Sequence, residues 1–158
     1  MKTALFIGRF QPFHLGHLKV LEWILKKYDR VIIVIGSSQE SNTKKNPFNL
    51  KERKEMINKT LKAEKIKEYE IIEIPDVYDD DVWVHSILKK VKFDTVFSLN
   101  PWVKRCFEKF NIPVKEHPKF GNISASGIRR RMREKKEWEH LVPKEVAKIL
   151  KRLHSRIG

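Results

Sequence analysis

The run of residues 31–35 constrains the fold of this chain more than any other stretch. All five residues are Val or Ile, and an unbroken β-branched run is the pattern of a strand buried on both faces of a parallel sheet. A second apolar run, residues 4–7, precedes it, and the segment between the two carries Leu18, Leu21, Leu25 and Tyr28 at helical spacing. Strand, helix and strand predict a right-handed crossover that places the two strands side by side, with the following loops at one edge of the sheet.

The same alternation continues along the chain. Further strands are predicted at residues 70–74, 95–98 and 112–115, with helical patterns between them. We therefore predict an α/β fold with a doubly wound, Rossmann-like parallel sheet of about five strands. The 158 residues predict a single domain, 1–158, with the sheet core over about 1–120 and helical segments over about 121–158. The apolar side chains of the closing segment are expected to form a lid or a contact between copies; they are Val146, Ile149, Leu150, Leu153 and Ile157.

Composition narrows the functional classes. Charged residues make up 34% of the chain, with many Lys and Glu, a balance that suits a protein from a hot environment. The net charge of +14 predicts attraction to polyanions and leaves both a nucleotide-phosphate enzyme and a nucleic-acid binder open. The single cysteine, Cys106, predicts a small apolar filler on a helix in a reducing environment. Because no run of eighteen apolar residues occurs, we expect a cytoplasmic protein with no membrane partner.

The stretch of residues 8–17 lies at the turn from the first strand into the first helix, where α/β folds hold anions. Gly8 lets backbone approach a ligand closely, Pro12 stiffens the loop, and Gly16 leaves N–H groups at the helix start open to a phosphate. His14 and His17 are three residues apart, so they face the same side of the first helical turn. The pattern predicts a phosphate site with two imidazoles.

Three alternatives compete at this turn. Neither a Gly-x-Gly-x-x-Gly fingerprint nor a P-loop is present, so the common phosphate motifs do not explain it. Histidines near a helix start are also found as caps or as satisfied core groups. Zinc is the third alternative, but two histidines without a nearby third ligand make a poor zinc site, and no metal ligands are predicted.

Residues 122–132 form a second polar stretch before a helix. Ser124 and Ser126 can cap helix N–H groups and share those donors with phosphate oxygens, while Arg129 one turn later supplies a bidentate cation. An exposed basic helix for nucleic acid would account for the arginines alone.

These motifs resemble those of a known enzyme family. Residues 8–17 resemble the His-x-Gly-His signature of the nucleotidyltransferase superfamily, in the Gly-Arg-Phe-Gln-Pro-Phe-His form of archaeal-type nicotinamide mononucleotide (NMN) adenylyltransferases. The loop 36–48, followed by Glu52 and Arg53, is similar to the same family's Gly-Ser-x-Gln-x-Ser and Asn-Pro-Phe pattern. Residues 123–129 resemble the superfamily's Ile-Ser-x-Thr-x-Ile-Arg signature, with Ser126 in the threonine place and Gly127 as a departure.

The resemblance implies adenylyl transfer from ATP to NMN with Mg²⁺, giving NAD and pyrophosphate. It implies catalytic roles for His14, His17, Arg9 and Arg129. The ATP-binding residues it implies are Gly8, Arg9, Phe10, Gln11, His14, Gly16, His17, Ser124, Ser126 and Arg129. The NMN-binding residues it implies are Ser37, Gln39, Asn46, Pro47, Phe48, Asp80 and Trp83.

The acceptor side carries one departure from the family. In the family a tryptophan in the place of Trp83 stacks on the pyridine ring, and an asparagine three residues earlier contacts the carboxamide. Asp80 stands in the asparagine place. The alternative is that the carboxylates of residues 76–81 serve only as caps and dipole stabilisers at a helix start.

Other functions share parts of these patterns. Transfer to another phosphate acceptor such as phosphopantetheine, or cytidylyl transfer, would use the same His-x-Gly-His core. A basic nucleic-acid-binding module would need no histidine pair and should show steeply salt-dependent binding. We expect ATP and NMN as small-molecule partners, no nucleic acid, and a homo-oligomer.

Overall fold

Strands and helices alternate along the chain in the computed structural model, which describes residues 1–153. The strands are Thr3–Gly8 (β1), Arg30–Ile35 (β2), Tyr69–Glu73 (β3), Thr95–Phe97 (β4) and Val114–Lys115 (β5). The helices are Leu15–Leu25 (α1), Leu50–Ala63 (α2), Asp80–Lys90 (α3), Pro101–Glu108 (α4), Ala125–Arg133 (α5) and Lys144–Arg152 (α6), with a short 3-10 helix at Glu139–Leu141.

The five strands form one parallel sheet in the order β3-β2-β1-β4-β5. The first strand is central, and the chain winds outward from it in both directions. This order confirms the predicted doubly wound, Rossmann-like α/β fold, including the pairing of β1 with β2.

The chain divides into two compact units, each built from separate segments. The first, which we call the sheet unit, comprises Met1–Gly8, Val20–Ser38 and Glu68–Pro118. The second, the loop unit, comprises Arg9–Lys19, Gln39–Lys67 and the described chain from Lys119 on. The loop unit therefore holds most of the motif residues singled out in the sequence. The single domain over 1–158 stays a prediction.

Both faces of the central strands are buried in the sheet unit. Leu5, Ile32 and Val34 are each at most 1% exposed. They join one apolar cluster with side chains of the neighbouring strands and of α3 and α4: Ile72, Ile74, Trp83, Val84, Ile87, Val96, Val103, Cys106 and Phe107. Full burial of one such aliphatic side chain contributes roughly 1.5–3 kcal/mol, so this cluster fixes the sheet that carries β1. Cys106 is buried on α4, as predicted.

Side-chain caps set the starts of three helices. Asn49 accepts a hydrogen bond from the backbone N–H of Glu52, and the Glu52 carboxylate accepts one from the backbone N–H of Asn49, so the two residues form a capping box at the start of α2. Asp79 accepts from two backbone N–H groups at the start of α3. Asn100 caps α4, with Pro101 in its first turn.

One helix ends earlier than the sequence predicts. α1 ends at Leu25 rather than near Tyr28, whose ring is buried beyond the helix and whose hydroxyl donates to Thr95 Oγ1 at 3.0 Å. The apolar face of α6 is buried, and the helix packs against α2 within the loop unit. An Arg152–Glu55 ion pair of 2.9 Å joins the same two helices.

The closing segment therefore uses its apolar face within the chain, and a contact between copies through this face is not what the structure shows. Leu153 is half-buried, while Ile157 lies outside the described residues. Within residues 1–153, no helix is long and apolar enough to cross a membrane.

Candidate active site

His14 and His17 meet at the start of α1 in the loop unit. Their rings stack with centroids 3.6 Å apart and planes 19° from parallel. The backbone N–H of His14 donates to His17 Nδ1 at 3.1 Å, and the backbone N–H of His17 donates to His14 Nδ1 at 3.4 Å. This exchange has the form of a capping box in which two imidazoles replace the usual hydroxyl and carboxylate. The predicted common face of the pair is confirmed.

The reciprocal cap determines which nitrogens carry protons. An Nδ1 that accepts a backbone N–H is unprotonated, so each neutral ring carries its hydrogen on Nε2. Burial lowers the pKa of His14 to about 4, which keeps that ring neutral at physiological pH. His14 is therefore a neutral Nε2–H donor, and the Nε2 of His17 lies on the side of its ring opposite the capped Nδ1.

Gly16 leaves room for the His14 ring. A Cβ at this position would lie 2.9 Å from His14 Cε1 and 3.0 Å from His14 Nδ1. Any side chain would push the ring out of its cap, because real Cβ contacts are almost never that short. Glycine between the histidines is thus a steric requirement of the stacked pair, in addition to the open N–H groups predicted from the sequence.

Aromatic rings support the pair from the other side. Phe13 stacks on His17 at 5.5 Å, and Phe10 meets the same ring edge-on at 4.8 Å. Phe10 is 2% exposed and has a φ of 55°, a left-handed backbone conformation that is rare for a bulky residue. Its side chain therefore orients His17, and direct contact of Phe10 with ATP stays a prediction.

Gln11 joins the loop of residues 9–14, which we call the histidine loop, to the loop 39–48. Its amide donates to Phe48 O and its amide oxygen accepts from Phe48 N, both at 2.9 Å. Its own carbonyl accepts from Arg129 Nη1 at 2.7 Å. Because the Gln11 side chain is buried and engaged at both ends, its contribution at this site is to hold backbone in place; the ATP contact that the resemblance implies is untested.

Positive charges gather around these loops. Burial, with the nearby charges of Arg9 and Arg133, lowers the pKa of Arg129, which is 8% exposed. Both charges that act on Arg129 are positive, and an arginine stays protonated despite such shifts. A half-buried cation cluster of this kind favours an anionic ligand. Sequence reasoning missed Arg133, for which the only signal was its i+4 spacing from Arg129.

The two predicted serines lie at the start of α5. Ser124 is the cap, with its Oγ accepting from Gly127 N at 3.0 Å, and Ser126 Oγ is 3.4 Å from it. A Cβ on Gly127 would lie 2.9 Å from Ser124 Oγ, which gives a steric reason for the glycine that departs from the family motif. Both serines are exposed, and one of the two hydroxyls donates to the other across this 3.4 Å contact.

The predicted NMN residues of the loop unit differ in exposure. Asn46, Pro47 and Phe48 are buried, and Gln39 is exposed. Within the described chain, the buried Oδ1 of Asn46 has no hydrogen-bond partner. A buried, unpaired amide oxygen costs roughly 1–3 kcal/mol, so a donor from a ligand or water would be stabilised there. The Phe48 ring is fully enclosed, and its contact with NMN stays a prediction.

Gly8 and Ser37 belong to the sheet unit, where they lie at the ends of the neighbouring strands β1 and β2. The carbonyl of Gly8, the last residue of β1, accepts from Gly36 N at 2.8 Å, just beyond the end of β2. Ser37 donates its hydroxyl to Asp76 Oδ1 at 3.0 Å. The structure thus brings the two strand ends together within the sheet unit, as the crossover predicted.

The tryptophan expected to stack on a pyridine ring is itself packed against tryptophan. Trp83 is 4% exposed, and its ring lies 4.6 Å from that of Trp102. Trp102 is half-buried and donates its Nε1–H to Asp80 Oδ1 at 3.2 Å. Stacking by Trp83 would require the ring to leave this packing, whereas Trp102 is the more accessible ring. Sequence reasoning missed Trp102 because only the fold brings α3 and α4 together.

The comparisons with known proteins identify the family. The family model described as cytidylyltransferase-like matches residues 5–131. A nicotinamide-nucleotide adenylyltransferase of Pyrococcus furiosus is 44% identical over 97% of this chain and 85% of its own length. One from Saccharolobus solfataricus is 41% identical over 95% and 90%.

This chain belongs to the nicotinamide-nucleotide adenylyltransferase family. The resemblance seen in the sequence is thereby confirmed at the level of the family. The roles of the individual site residues stay predictions.

A solved structure agrees with the fold of this adenylyltransferase family member. A bifunctional NMN adenylyltransferase/ADP ribose pyrophosphatase from Francisella tularensis, complexed with AMP and a manganese ion, superposes with a TM-score of 0.81 at 24% identity. The match covers 99% of this chain and 50% of that protein, so the chain spans about half of its length. This likeness shows the shared fold.

We predict that the stability of this adenylyltransferase family member falls with acid because His14 resists protonation. With a pKa of about 4 in the folded protein and 6.5 as its ordinary value, His14 binds a proton in the unfolded chain before it does in the native one. Its contribution is complete above pH 6.5 and is lost as the pH falls towards 4, by about 3 kcal/mol in all. Urea unfolding between pH 7 and pH 4 measures this loss.

The matched control is His14→Asn, which removes the titrating group and should flatten this part of the pH profile. An unchanged profile in that variant would mean that other groups cause the acid sensitivity.

We predict that Gly16→Ala lowers kcat at least tenfold while leaving the fold intact, since a displaced ring of this kind costs roughly 10²-fold per ångström in a catalytic site. The reason is the 2.9 Å contact that the added methyl would make with His14. The measurement is steady-state kinetics with a thermal melt as a check on folding. Lys19→Ala, an exposed position of the same helix, serves as the control, and equal kinetics for the two variants would contradict the steric account.

Proposed function

We propose that this chain transfers the adenylyl group of ATP to NMN, giving NAD and pyrophosphate. The observation that carries the proposal is the stacked and mutually capped pair of histidines at the helix start, supported by Arg129. The relatives at 41–44% identity are named as enzymes of this reaction, which supports NMN as the acceptor.

The chemistry needs donors and cations more than it needs a base. A mononucleotide phosphate has a second pKa of about 6, so the attacking oxygen is already an anion at neutral pH. The protein has to hold two polyanions against their repulsion, align them in line, and stabilise the charge that develops on the α-phosphate and the leaving pyrophosphate. An imidazole Nε2–H group donates a hydrogen bond to such an oxygen without the ring having to become a cation.

Residue roles follow from this requirement. We assign His14 and His17 to the triphosphate and its transition state, and Arg9 and Arg129 to phosphate oxygens. Ser124 and Ser126, with the backbone N–H groups at the start of α5, are assigned to the pyrophosphate side; the Ser124 oxygen accepts from Gly127 N and so caps the helix.

A divalent metal would arrive with ATP. Among residues 1–153 no group of three or more His, Cys, Asp or Glu side chains is arranged to hold a metal ion. The donor set of the loop unit, imidazoles and guanidiniums, fits a metal carried by phosphate oxygens and water, as Mg²⁺ prefers. When bound, Mg²⁺ would neutralise phosphate charge, while the side chains of this chain bind and orient the same oxygens.

An acceptor panel tests the proposed reaction. The protein is incubated with ATP and Mg²⁺ and with NMN, nicotinate mononucleotide or phosphopantetheine, and CTP replaces ATP in a parallel series. We expect pyrophosphate and an adduct with ATP and NMN. Adduct formation only with phosphopantetheine or only with CTP would overturn the proposal. Tight RNA or DNA binding that collapses between two salt concentrations, without any adduct, would instead indicate a nucleic-acid module.

The remaining expectations accompany this proposal. An enzyme of NAD synthesis with this composition is expected in the cytoplasm, acting as a single domain and as a homo-oligomer. Size-exclusion chromatography with light scattering measures the oligomeric state.

We predict that Asp80→Asn reduces the preference for NMN over nicotinate mononucleotide. An ionised carboxylate only accepts hydrogen bonds, so Asp80 can accept from a carboxamide NH₂ but repels a carboxylate. Its Oδ1 is already engaged by Trp102, and the group is half-buried, so we expect a preference on the order of tenfold in kcat/KM for NMN that narrows in the variant. The exposed neighbour Asp81→Asn is the control. A ratio that neither substitution moves would leave Asp80 as an ordinary helix-start carboxylate.

We also predict that Trp83→Ala weakens both acceptors alike, because loss of the ring removes apolar contact area without distinguishing amide from carboxylate. Selective loss of one acceptor would contradict a stacking or supporting role.

A further inference from the structure

Arg53, in the first turn of α2, is a charged side chain with no exposed surface. Its guanidinium donates to three backbone carbonyls from three places in the loop unit: Arg9 O at 3.1 Å, Asn49 O at 3.3 Å and Glu40 O at 3.3 Å. The side chain thereby joins the histidine loop, the loop 39–48 and the start of α2.

Burying a cation in this position costs free energy of folding. Removing a guanidinium from water costs several kcal/mol unless hydrogen bonds and charges compensate, and an apolar side chain would fill the same space more cheaply. Burial and the charge of Arg9 lower the pKa of Arg53, while the Glu40 carboxylate raises it. The planar fork of arginine, unlike the single ammonium of lysine, can reach several carbonyls at once.

The repulsion among the arginines indicates the role of the Arg53 guanidinium. Arg9 acts as a like charge on both Arg53 and Arg129. Without an anion, the exposed Arg9 side chain would be driven away from Arg129. A hydrogen bond to the Arg9 carbonyl fixes the backbone from which that side chain extends, and the bond to Glu40 O fixes the backbone of the neighbouring loop.

We propose that Arg53 is a positioning residue for the phosphate site, which clamps the Arg9 backbone so that the Arg9 and Arg129 guanidiniums stay together for the triphosphate. The inference rests on the proposed function. Arg53 acts through Arg9 and does not itself touch the substrate. Arg53→Gln and Arg53→Lys should therefore matter only while Arg9 is present.

A double-mutant cycle tests this dependence. We expect Arg53→Gln to lower kcat/KM for ATP by roughly 10- to 100-fold in the natural background, the scale of a misplaced catalytic group. In an Arg9→Ala background the same change should cost less than about twofold, since the group it positions is gone. In the natural background, the kcat/KM of Arg53→Lys should lie between that of Arg53→Gln and that of the unmodified protein. Arg152→Gln on α6, which breaks the ion pair with Glu55 of α2, is the control with little effect in either background.

Direct ATP binding, measured by calorimetry without any acceptor, separates this inference from the proposed function. Suppose that no NAD forms but the effects of Arg53→Gln and Arg9→Ala on ATP affinity are non-additive. The proposal of NMN as acceptor would then be wrong, and the positioning role of Arg53 would stand. Equal losses from Arg53→Gln in both backgrounds would show a general structural role and overturn the inference. Failure of both Arg53 variants to fold, judged by circular dichroism and melting, would overturn it as well, because the clamp would then be a requirement of the whole fold.

Discussion

Alanine at either histidine is expected to lower kcat by about 10²- to 10³-fold with little change in KM for ATP. The Nε2–H donors are held by mutual caps and by stacking at 3.6 Å, so they are in place before charge develops on the phosphates. Donors organised in advance act mainly on the transition state. Steady-state kinetics of His14→Ala and His17→Ala with saturating NMN measure the effect.

Asparagine variants separate catalysis from capping. The amide oxygen of His14→Asn or His17→Asn can accept the backbone N–H that Nδ1 accepts, but the short side chain has no group at the place of Nε2. We expect these variants to melt closer to the unmodified protein than the alanine variants do, while kcat stays as low. A rise in KM with kcat intact, or near-normal kcat in the asparagine variants, would show that the pair serves only as a helix cap.

Arg129→Ala is expected to weaken ATP binding by roughly 10- to 100-fold, the loss of one charge-assisted contact from a buried site. Arg129 Nη1 donates to the Gln11 carbonyl at 2.7 Å, which orients the guanidinium. The charges that act on Arg129 are the like charges of Arg9 and Arg133, so an anionic ligand would be attracted there. Arg129→Lys, which keeps the charge and loses the fork, should recover only part of the affinity. Calorimetric titration with ATP gives the comparison.

Arg131 is the matched control for this prediction. It lies on the same helix, but its Nη1 donates to the Glu137 carbonyl at 2.9 Å. Arg131→Ala should change ATP affinity by no more than about threefold, as expected for a screened surface charge. Equal losses at the two positions would indicate diffuse attraction by a basic protein instead of a defined phosphate contact.

Local patterns in the sequence were sufficient for the fold. The β-branched run of β2, the apolar run of β1 and the helical spacing between them predicted a parallel pair, which the sheet order confirms. The capping box of Asn49 and Glu52 is equally local, because a cap depends on residues within one helical turn. The common face of His14 and His17 is local in the same sense.

Contacts between distant segments could not be predicted from such patterns. Nothing near Arg53 in the sequence shows that its side chain reaches the Arg9 carbonyl, 44 residues away. The burial of Trp83 depends on Trp102, which another helix supplies. The steric need for Gly16 appears only once the His14 ring turns back over it. In each case the deciding contact is made by tertiary packing, for which a single sequence carries no periodic signal.

The most direct test of the account uses NMN whose phosphate oxygens are labelled with ¹⁸O, incubated with ATP and Mg²⁺ and analysed by mass spectrometry. If the NMN phosphate attacks the α-phosphate of ATP, NAD retains all of the label and an equal amount of unlabelled pyrophosphate is released. Formation of AMP in place of pyrophosphate, labelled pyrophosphate, or no NAD at all would contradict adenylyl transfer to NMN.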